Sequence, residues 1–395
     1  MTIAQSILAV CFWCSVAGVV YAYLGYPILI CAFARAFGRT LVPPVAPDSQ
    51  LPVVALLIAA HNEAEVIESR ILNALSQNYP PDRLEVVIAS DGSDDATEAI
   101  CRRYEGRVRT LHFPGRQGKA GTLNTVIPLL DAPIIALSDA NTCMDPDALR
   151  HLARWFSDPT IGAVCGRLIL TDPRTGRNAD GMYWRYETFL KRSESRLGGL
   201  LGANGAIYAF RREDFRPLPS GTLVDDFVLP LSVKLRTNCR IVYEAEAVAN
   251  EQTAPDLPGE FRRRTRIGAG VFHSLGHLWP LLSPRYGWTA FTFWSHKVLR
   301  WVCPLLLIIA LFASVALSSH PIYRAALLAQ ALFYGLCILG GLLPAANQAC
   351  RILRIFPLFA GMNLALLIGF ARWMRGSHSG LWHRTPRIPD GRSAA

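Results

Sequence analysis

Val53-Val54-Ala55-Leu56-Leu57-Ile58-Ala59-Ala60-His61-Asn62-Glu63 decides the fold class. An apolar run of strand length breaks into polar residues, and a helix-like segment, Glu63–Ser76, follows. The pattern returns twice: Leu84–Ser90 runs into Asp91-Gly92-Ser93-Asp94-Asp95, and Ile134–Ser138 into Asp139-Ala140-Asn141-Thr142. Unbroken apolar runs bounded by polar turns read as strands buried on both faces. Val108–His112 and Gly162–Leu168 are further strands; Asp94–Tyr104, Gly118–Leu130 and Asp145–Trp155 are further helices. This alternation predicts an α/β domain on a parallel sheet, with Asp94 and Asp145 as helix caps or first-turn acids. Ligands of such sheets sit beyond the carboxyl ends of the strands, so the polar residues there are the candidates for function.

The flanks differ in kind. Residues 1–34 carry no charge, a run too long for a signal-peptide core and long enough to cross a bilayer. Residues 1–37 therefore read as a transmembrane helix, with Pro27 kinking or ending it. Arg35 and Arg39 predict a cytoplasmic C-terminal end. A Pro-rich linker from Pro43-Pro44 to Pro52 leads into the central domain, 51–270. Residues 271–297 mix aromatics and prolines, among them Trp279, Pro280, Trp288 and Trp294, as an interfacial helix does. Residues 298–375 hold three apolar runs, Trp301–Leu317, Ala325–Leu343 and Ile355–Ala371, and residues 376–395 form a basic tail. The third run carries Asn363 and is flanked by Arg351, Arg354, Arg372 and Arg375, which leaves open whether it spans. The expectation is a multi-pass protein of the inner or plasma membrane with a cytoplasmic central domain.

Charge follows the same division. The net charge is +10, yet Leu51 to Gly270 hold 28 acids against 27 bases, and the flanks hold 13 bases with only Asp48 and Asp390. Bases beside apolar runs mark a membrane protein, which excludes a fully soluble chain and argues against a nucleic-acid partner. Cys11 and Cys14 form a C-x-x-C inside an apolar helix with no second ligand pair, which argues against zinc or redox chemistry. Lysine occurs only at 119, 191, 234 and 297, against 36 arginines, so each retained lysine carries some information.

Several strand ends carry residues suited to chemistry. Asp91, before a Gly turn, can accept hydrogen bonds from a base or ribose, and equally fits a turn. Gly115-Arg116-Gln117-Gly118-Lys119 opens a helix, where an anion is favoured, without P-loop spacing. Asp139 and Asn141 present hard oxygen ligands suited to Mg²⁺ or Mn²⁺ bridging phosphates. Asp225 and Asp226 stand together in an apolar setting, where a raised pKa makes a general base, although first-turn acids also suit a helix dipole. Arg262-Arg263-Arg264-Thr265-Arg266 can grip a diphosphate or a membrane surface.

Together, Ala59-Ala60-His61-Asn62-Glu63, Asp91-Gly92-Ser93-Asp94-Asp95, Gly118-Lys119-Ala120-Gly121, Asp139-Ala140-Asn141-Thr142, Asp225-Asp226 and Arg266 closely resemble the membrane-bound family-2 glycosyltransferases, which include cellulose, hyaluronan and exopolysaccharide synthases. The resemblance implies a glycosyltransferase A type domain plus transmembrane helices, and an inverting transfer from a nucleotide-sugar, foremost a UDP-sugar. Glu63 and Asp91 would hold the nucleoside, Lys119 and Arg266 the diphosphate, and Asp139 with Asn141 the metal. Asp226 would be the base, with Asn204, Gly205 and Asp225 lining the donor and acceptor pocket. The chain departs from the pattern where processive relatives carry Q-x-x-R-W: Arg263-Arg264-Thr265-Arg266-Ile267 keeps only the arginine. The implied acceptor is a polysaccharide or a lipid-linked saccharide. The alternatives are a single addition to polyprenyl phosphate and a non-catalytic subunit of a polysaccharide export complex.

Overall fold

The structure, a computed structural model, describes residues 2–171, 182–252, 257–342, 353 and 355–376. The tail after Gly376, Arg351, Arg354 and residues 172–181 lie outside the described residues. The chain divides into two units: Ile30–Gly259 with His273–Thr292, and Met1–Leu29 with Glu260–Phe272 and the chain from Phe293 on.

The first unit is built on a sheet of β1 (Val54–Ala60), β2 (Leu84–Asp91), β3 (Arg109–Phe113), β4 (Ile134–Asp139), β5 (Cys143–Met144), β6 (Ile161–Thr171), β7 (Tyr208–Arg211) and β8 (Arg240–Gln252). Their order across the sheet is β3-β2-β1-β4-β7-β6-β8-β5. The four strands at one side of the sheet, β3, β2, β1 and β4, are the expected parallel ones. β1 pairs with β2 and β4, and β2 with β3. β1 lies mid-sheet with Leu56 and Ile58 unexposed in the core, which accounts for its unbroken apolar run. Register aligns the strand tips: Ala59 pairs with Asp139, Ala60 with Ser90, and Asp91 with Phe113. The polar residues after these strands therefore emerge at one end of the sheet.

The fully parallel sheet expected from the sequence is corrected beyond β4. β7 runs antiparallel to both β4 and β6, with Leu137 opposite Tyr208 and Tyr208 opposite Cys165. An antiparallel neighbour brings its N-terminal end to the tip of β4, so the residues just before β7 arrive beside Asp139. The caps are also corrected. Of the two adjacent acids, Asp95 accepts from Thr97 N at the start of helix Thr97–Arg102 (2.9 Å), while Asp94 accepts from the Asn62 amide. Asp145 accepts from Asn250 instead of capping, and helix Ala148–Ala153 starts after Asp147.

Among the described residues, four helices are long and apolar enough to cross a membrane: Ile3–Ala36, Trp288–Ala316, Pro321–Leu342 and Ile355–Met374. Pro27 does not end the first. A π turn over Tyr21–Gly25 precedes it, Tyr26 N–H reaching back to Tyr21 O, and this wider turn accommodates the ring whose clash would break a regular helix. The aromatic stretch 271–297 is not one interfacial helix either. Leu257–Leu278 continues into it, two short 3₁₀ turns follow, and the apolar helix starts at Trp288. In the second unit Phe12 packs with Ala310, Ala313 and Tyr323, and the buried Asn363 donates to Tyr23 Oη at 3.3 Å. The nine described cysteines are free.

Candidate active site

The cluster at the sheet end begins with Asp139, the last residue of β4. Its backbone carbonyl accepts from Arg70 Nε at 3.3 Å, and Arg70 is 2% exposed. Burial lowers this guanidinium's pKa to about 10, which still leaves it charged at neutral pH. The sequence reading passed over Arg70, yet a signal was there. It shares one face of helix Ile67–Leu75 with the buried Ile67, Ile71 and Ala74, where an arginine is out of place unless it is paired.

Lys119 enters from the first turn of helix Gly118–Val126. Its Nζ lies 2.8 Å from Asp139 Oδ1 and 3.2 Å from Asp225 Oδ2. Burial works against its charge, but Asp139, Asp225 and Asp226 outweigh that and hold its pKa above the ordinary lysine value. Asp91 sets this helix start. It is wholly buried, its Oδ1 accepting from Gln117 N at 2.7 Å and its Oδ2 from Gly118 N at 3.0 Å. Asp91, expected at the nucleoside, thus fixes the start of the helix that carries Lys119. Glu63, also buried, donates its backbone N–H to Thr97 Oγ1 at 2.8 Å, which locks the tip of β1 to the loop after β2.

Asp225 and Asp226 open helix Asp225–Thr237, so a dipole-favoured helix start and a chemical pair coincide here. Asp225 also accepts from Tyr208 Oη at 3.1 Å. Asp226 is half-buried. Burial and then the neighbouring Asp225 raise its pKa to about 6, with Lys119 and Lys191 opposing the rise. Its backbone carbonyl accepts from Ala203 N at 2.8 Å, tying the loop before β7 to this helix. Gly202 turns that loop with φ +77°, a left-handed conformation that glycine adopts freely. Gly205 then passes between the carboxylates: a Cβ built on it would lie 3.5 Å from Asp226 Oδ2 and 3.7 Å from Asp139 Oδ2. Asn204, between the two glycines, is a clamp. Its Oδ1 accepts from Lys191 Nζ, and its Nδ2 donates to Gly166 O at 2.6 Å.

The expected residues Asp139, Lys119, Gly205, Asp225 and Asp226 therefore meet in one cluster, with Asp91 and Asn204 supporting it. Asn141 turns its amide to Glu251 Oε1 at 2.7 Å and does not pair with Asp139. Arg266 lies on helix Leu257–Leu278, in the part of it assigned to the other unit, and two of the neighbouring arginines are spent on that helix: Arg263 and Arg264 bond Glu260 at 2.8 and 2.7 Å. Lys191 and Tyr208 were missed because each reaches the cluster across the fold. Lysine scarcity was the one hint for Lys191.

Residues 55–218 match Glycosyl transferase family 2. The beta-monoglucosyldiacylglycerol synthase of Synechocystis sp. is 29% identical over 194 residues, 47% of this chain and 40% of that protein. The enzyme of the same name from Trichormus variabilis is 31% identical over 174 residues, 42% of this chain and 37% of its own. The chain thus spans about 40% of the length of these curated relatives. Among solved structures, the mannosyltransferase PcManGT from Pyrobaculum calidifontis, in complex with GDP-Man and Mn²⁺, superposes with TM-score 0.69 at 22% identity, covering 92% of this chain and 99% of that one. The likeness shows a glycosyltransferase A type fold, to which the candidate membrane-crossing helices are added.

Proposed function

We propose that this chain, a glycosyltransferase whose residues 55–218 form a family 2 domain, inverts the anomeric centre of a nucleotide-sugar, a UDP-sugar in the first instance, while moving the sugar to a saccharide or lipid-linked acceptor of cell-surface polysaccharide synthesis. The observation that carries the reading is the gap over Gly205, flanked by Asp226 on one side and Asp139 on the other. Asp226 takes the proton of the acceptor hydroxyl as its oxygen attacks the anomeric carbon, and the nucleoside diphosphate leaves. A carboxylate whose pKa stands near 6 is ionised at neutral pH and is a stronger base than an ordinary aspartate. Lys119 holds Asp139 and Asp225 in place and lowers the repulsion among the three acids.

The donor set suits a divalent ion held mainly by phosphate. Among the described residues no group of three or more His, Cys, Asp or Glu side chains can hold a metal alone. Asp139 gives Oδ1 to Lys119 and turns Oδ2 toward Gly205, so one carboxylate is on offer. Mg²⁺ commonly binds through one or two carboxylates plus substrate phosphates, and Asp139 fills that part. Bound there, Mg²⁺ or Mn²⁺ would stabilise charge on the departing diphosphate. Asp91 and Glu63 contribute by fixing the loops at the nucleoside side, and Arg266 is proposed for the diphosphate. Arg35 and Arg39 support a cytoplasmic catalytic domain.

A second reading, one sugar added to a polyprenyl-linked acceptor, is favoured by the absent Gln and Trp around Arg266. Membranes holding the full chain, incubated with a panel of UDP- and GDP-sugars, should give a labelled product whose mass separates one addition from many. Asp226→Asn should abolish transfer and retain nucleotide binding; transfer near the wild-type rate would refute the base assignment.

A further inference from the structure

Far from the catalytic cluster, the first unit holds a cavity of about 440 Å³ lined by Arg39, Arg196, Lys234, Arg240 and Arg285, with no acidic residue in its wall. Such a volume lies in the usual range for ligand pockets, about 300–1,000 Å³. The catalytic pair opens helix Asp225–Thr237, whereas Lys234 and Asn238 lie toward its other end, about 12 and 18 Å along the helix from Asp226. Nothing in the proposed transfer uses these bases.

Three observations indicate what the cavity takes. The first is unsatisfied positive charge. Arg240 Nη2 is buried without a hydrogen-bond partner. The carboxylate acting on Arg240, Asp158, already accepts from Thr160 N and Oγ1 at 2.8 and 2.7 Å. Lys234 is 4% exposed and spends its ammonium on Cys239 O at 2.7 Å; burial first, then Arg240, hold its pKa below the ordinary value. The second is position along the chain. Phe37 and Arg39 follow the end of the apolar helix Ile3–Ala36, and Trp288 begins the apolar helix Trp288–Ala316. The cavity is walled by the chain where it leaves one candidate span and enters the next, and Arg39 N–H donates to Arg196 O at 2.9 Å. The third is the rim. Phe37, 66% exposed, stands 6.2 Å from the Trp288 ring, the kind of aromatic pair found at headgroup depth. Arg285 lies over Tyr286 at 4.9 Å with its guanidinium exposed.

We propose that this cavity binds the phosphate headgroup of an anionic membrane phospholipid, with the arginines on the phosphate oxygens and the aromatic rim toward the glycerol backbone. Arginine suits this because its planar fork donates two parallel bonds to phosphate. The site anchors the catalytic unit at the membrane surface and is separate from the donor and acceptor pocket.

The test uses the full chain purified in a neutral detergent and titrated with dioctanoyl-phosphatidylglycerol, with dioctanoyl-phosphatidylcholine and inorganic phosphate as parallel arms, read by native mass spectrometry. The glycerol lipid should bind, and the choline lipid should bind far more weakly, since its headgroup carries its own cation. Each of Arg285→Gln and Arg196→Gln should weaken binding about fivefold, the usual worth of one basic residue at an anionic surface. Arg285 is exposed, so its variant folds even if Arg240→Gln does not. Equal binding of the two lipids, unchanged binding in both arginine variants, or inorganic phosphate binding as tightly as the lipid would each overturn the proposal.

Discussion

Gly205→Ala separates the stability of this site from its chemistry. Gly205 is not among the residues with positive φ, so an alanine fits its backbone. The new methyl would stand 3.5 Å from Asp226 Oδ2 and 3.7 Å from Asp139 Oδ2, ordinary van der Waals contact rather than overlap. Folding should therefore be unaffected or slightly favoured, since replacing a glycine at a compatible position gains about 0.4–1 kcal/mol by restricting the unfolded chain. The chemistry should suffer. The methyl occupies the gap where the reacting sugar must lie between base and diphosphate, and displacing a bound reactant by about 1 Å costs on the order of 10²-fold in rate. The assay pairs thermal unfolding of the purified full chain with kcat for sugar transfer. An unchanged or higher Tm together with a loss of about 10²-fold in kcat is the expected result. Wild-type kcat in this variant would show that no reactant passes over Gly205, and the proposed arrangement of Asp226 and Asp139 would be wrong.

Other outcomes follow from the same cluster. With Asp226 as the proposed base and its pKa raised to about 6, kcat should fall as pH drops through about 6, losing about tenfold per unit below it; a flat profile down to pH 5 would refute the base. Lys119→Met removes a cation that lowers the Asp226 pKa, so the acid limb should move to higher pH, which a pH–rate series on the variant reads directly. Gly202→Ala, at φ +77°, should destabilise the chain by about 1–2 kcal/mol in denaturant titrations, the usual cost of a left-handed L-residue. Mn²⁺ should bind weakly to the chain alone and tightly once a nucleoside diphosphate is present, by calorimetry, and Asp139→Ala should abolish the difference.

How much of this was legible in the sequence depended on how local the cause was. β1, β2 and β4 were readable because strands buried on both faces need apolar residues at every position. β7 escaped because Tyr208–Arg211 is four residues long and draws its place from two antiparallel neighbours. β8 escaped for a related reason. Arg240–Gln252 alternates apolar and charged residues, and the register shift opposite Gly166 and Arg167 breaks its phase. The parallel reading of the sheet failed at β7, and with it the means of knowing which loop faces Asp139.

The site divides along the same line. Asp139, Asp225 and Asp226 announce themselves because acids at the ends of buried strands or within apolar runs need a reason to be there. The sequence could not show what their neighbours do with them. Asp91 looks like a ligand and serves as the cap that aims Lys119. Asn141 looks like half of a metal pair and bonds Glu251, a partner 110 residues away. Asn204 looks like a pocket wall and clamps Lys191 to Gly166. In each case a long-range hydrogen bond that the sequence does not show engages part of the side chain, while Asp91 and Asn141 keep oxygen lone pairs for a ligand. The proposed reacting groups are two carboxylates flanking Gly205, with the hydrogen bonds of Asp91, Asn141 and Asn204 bracing the loops around them. A site organised in this way fixes the reaction geometry and leaves recognition of donor and acceptor to the surrounding loops.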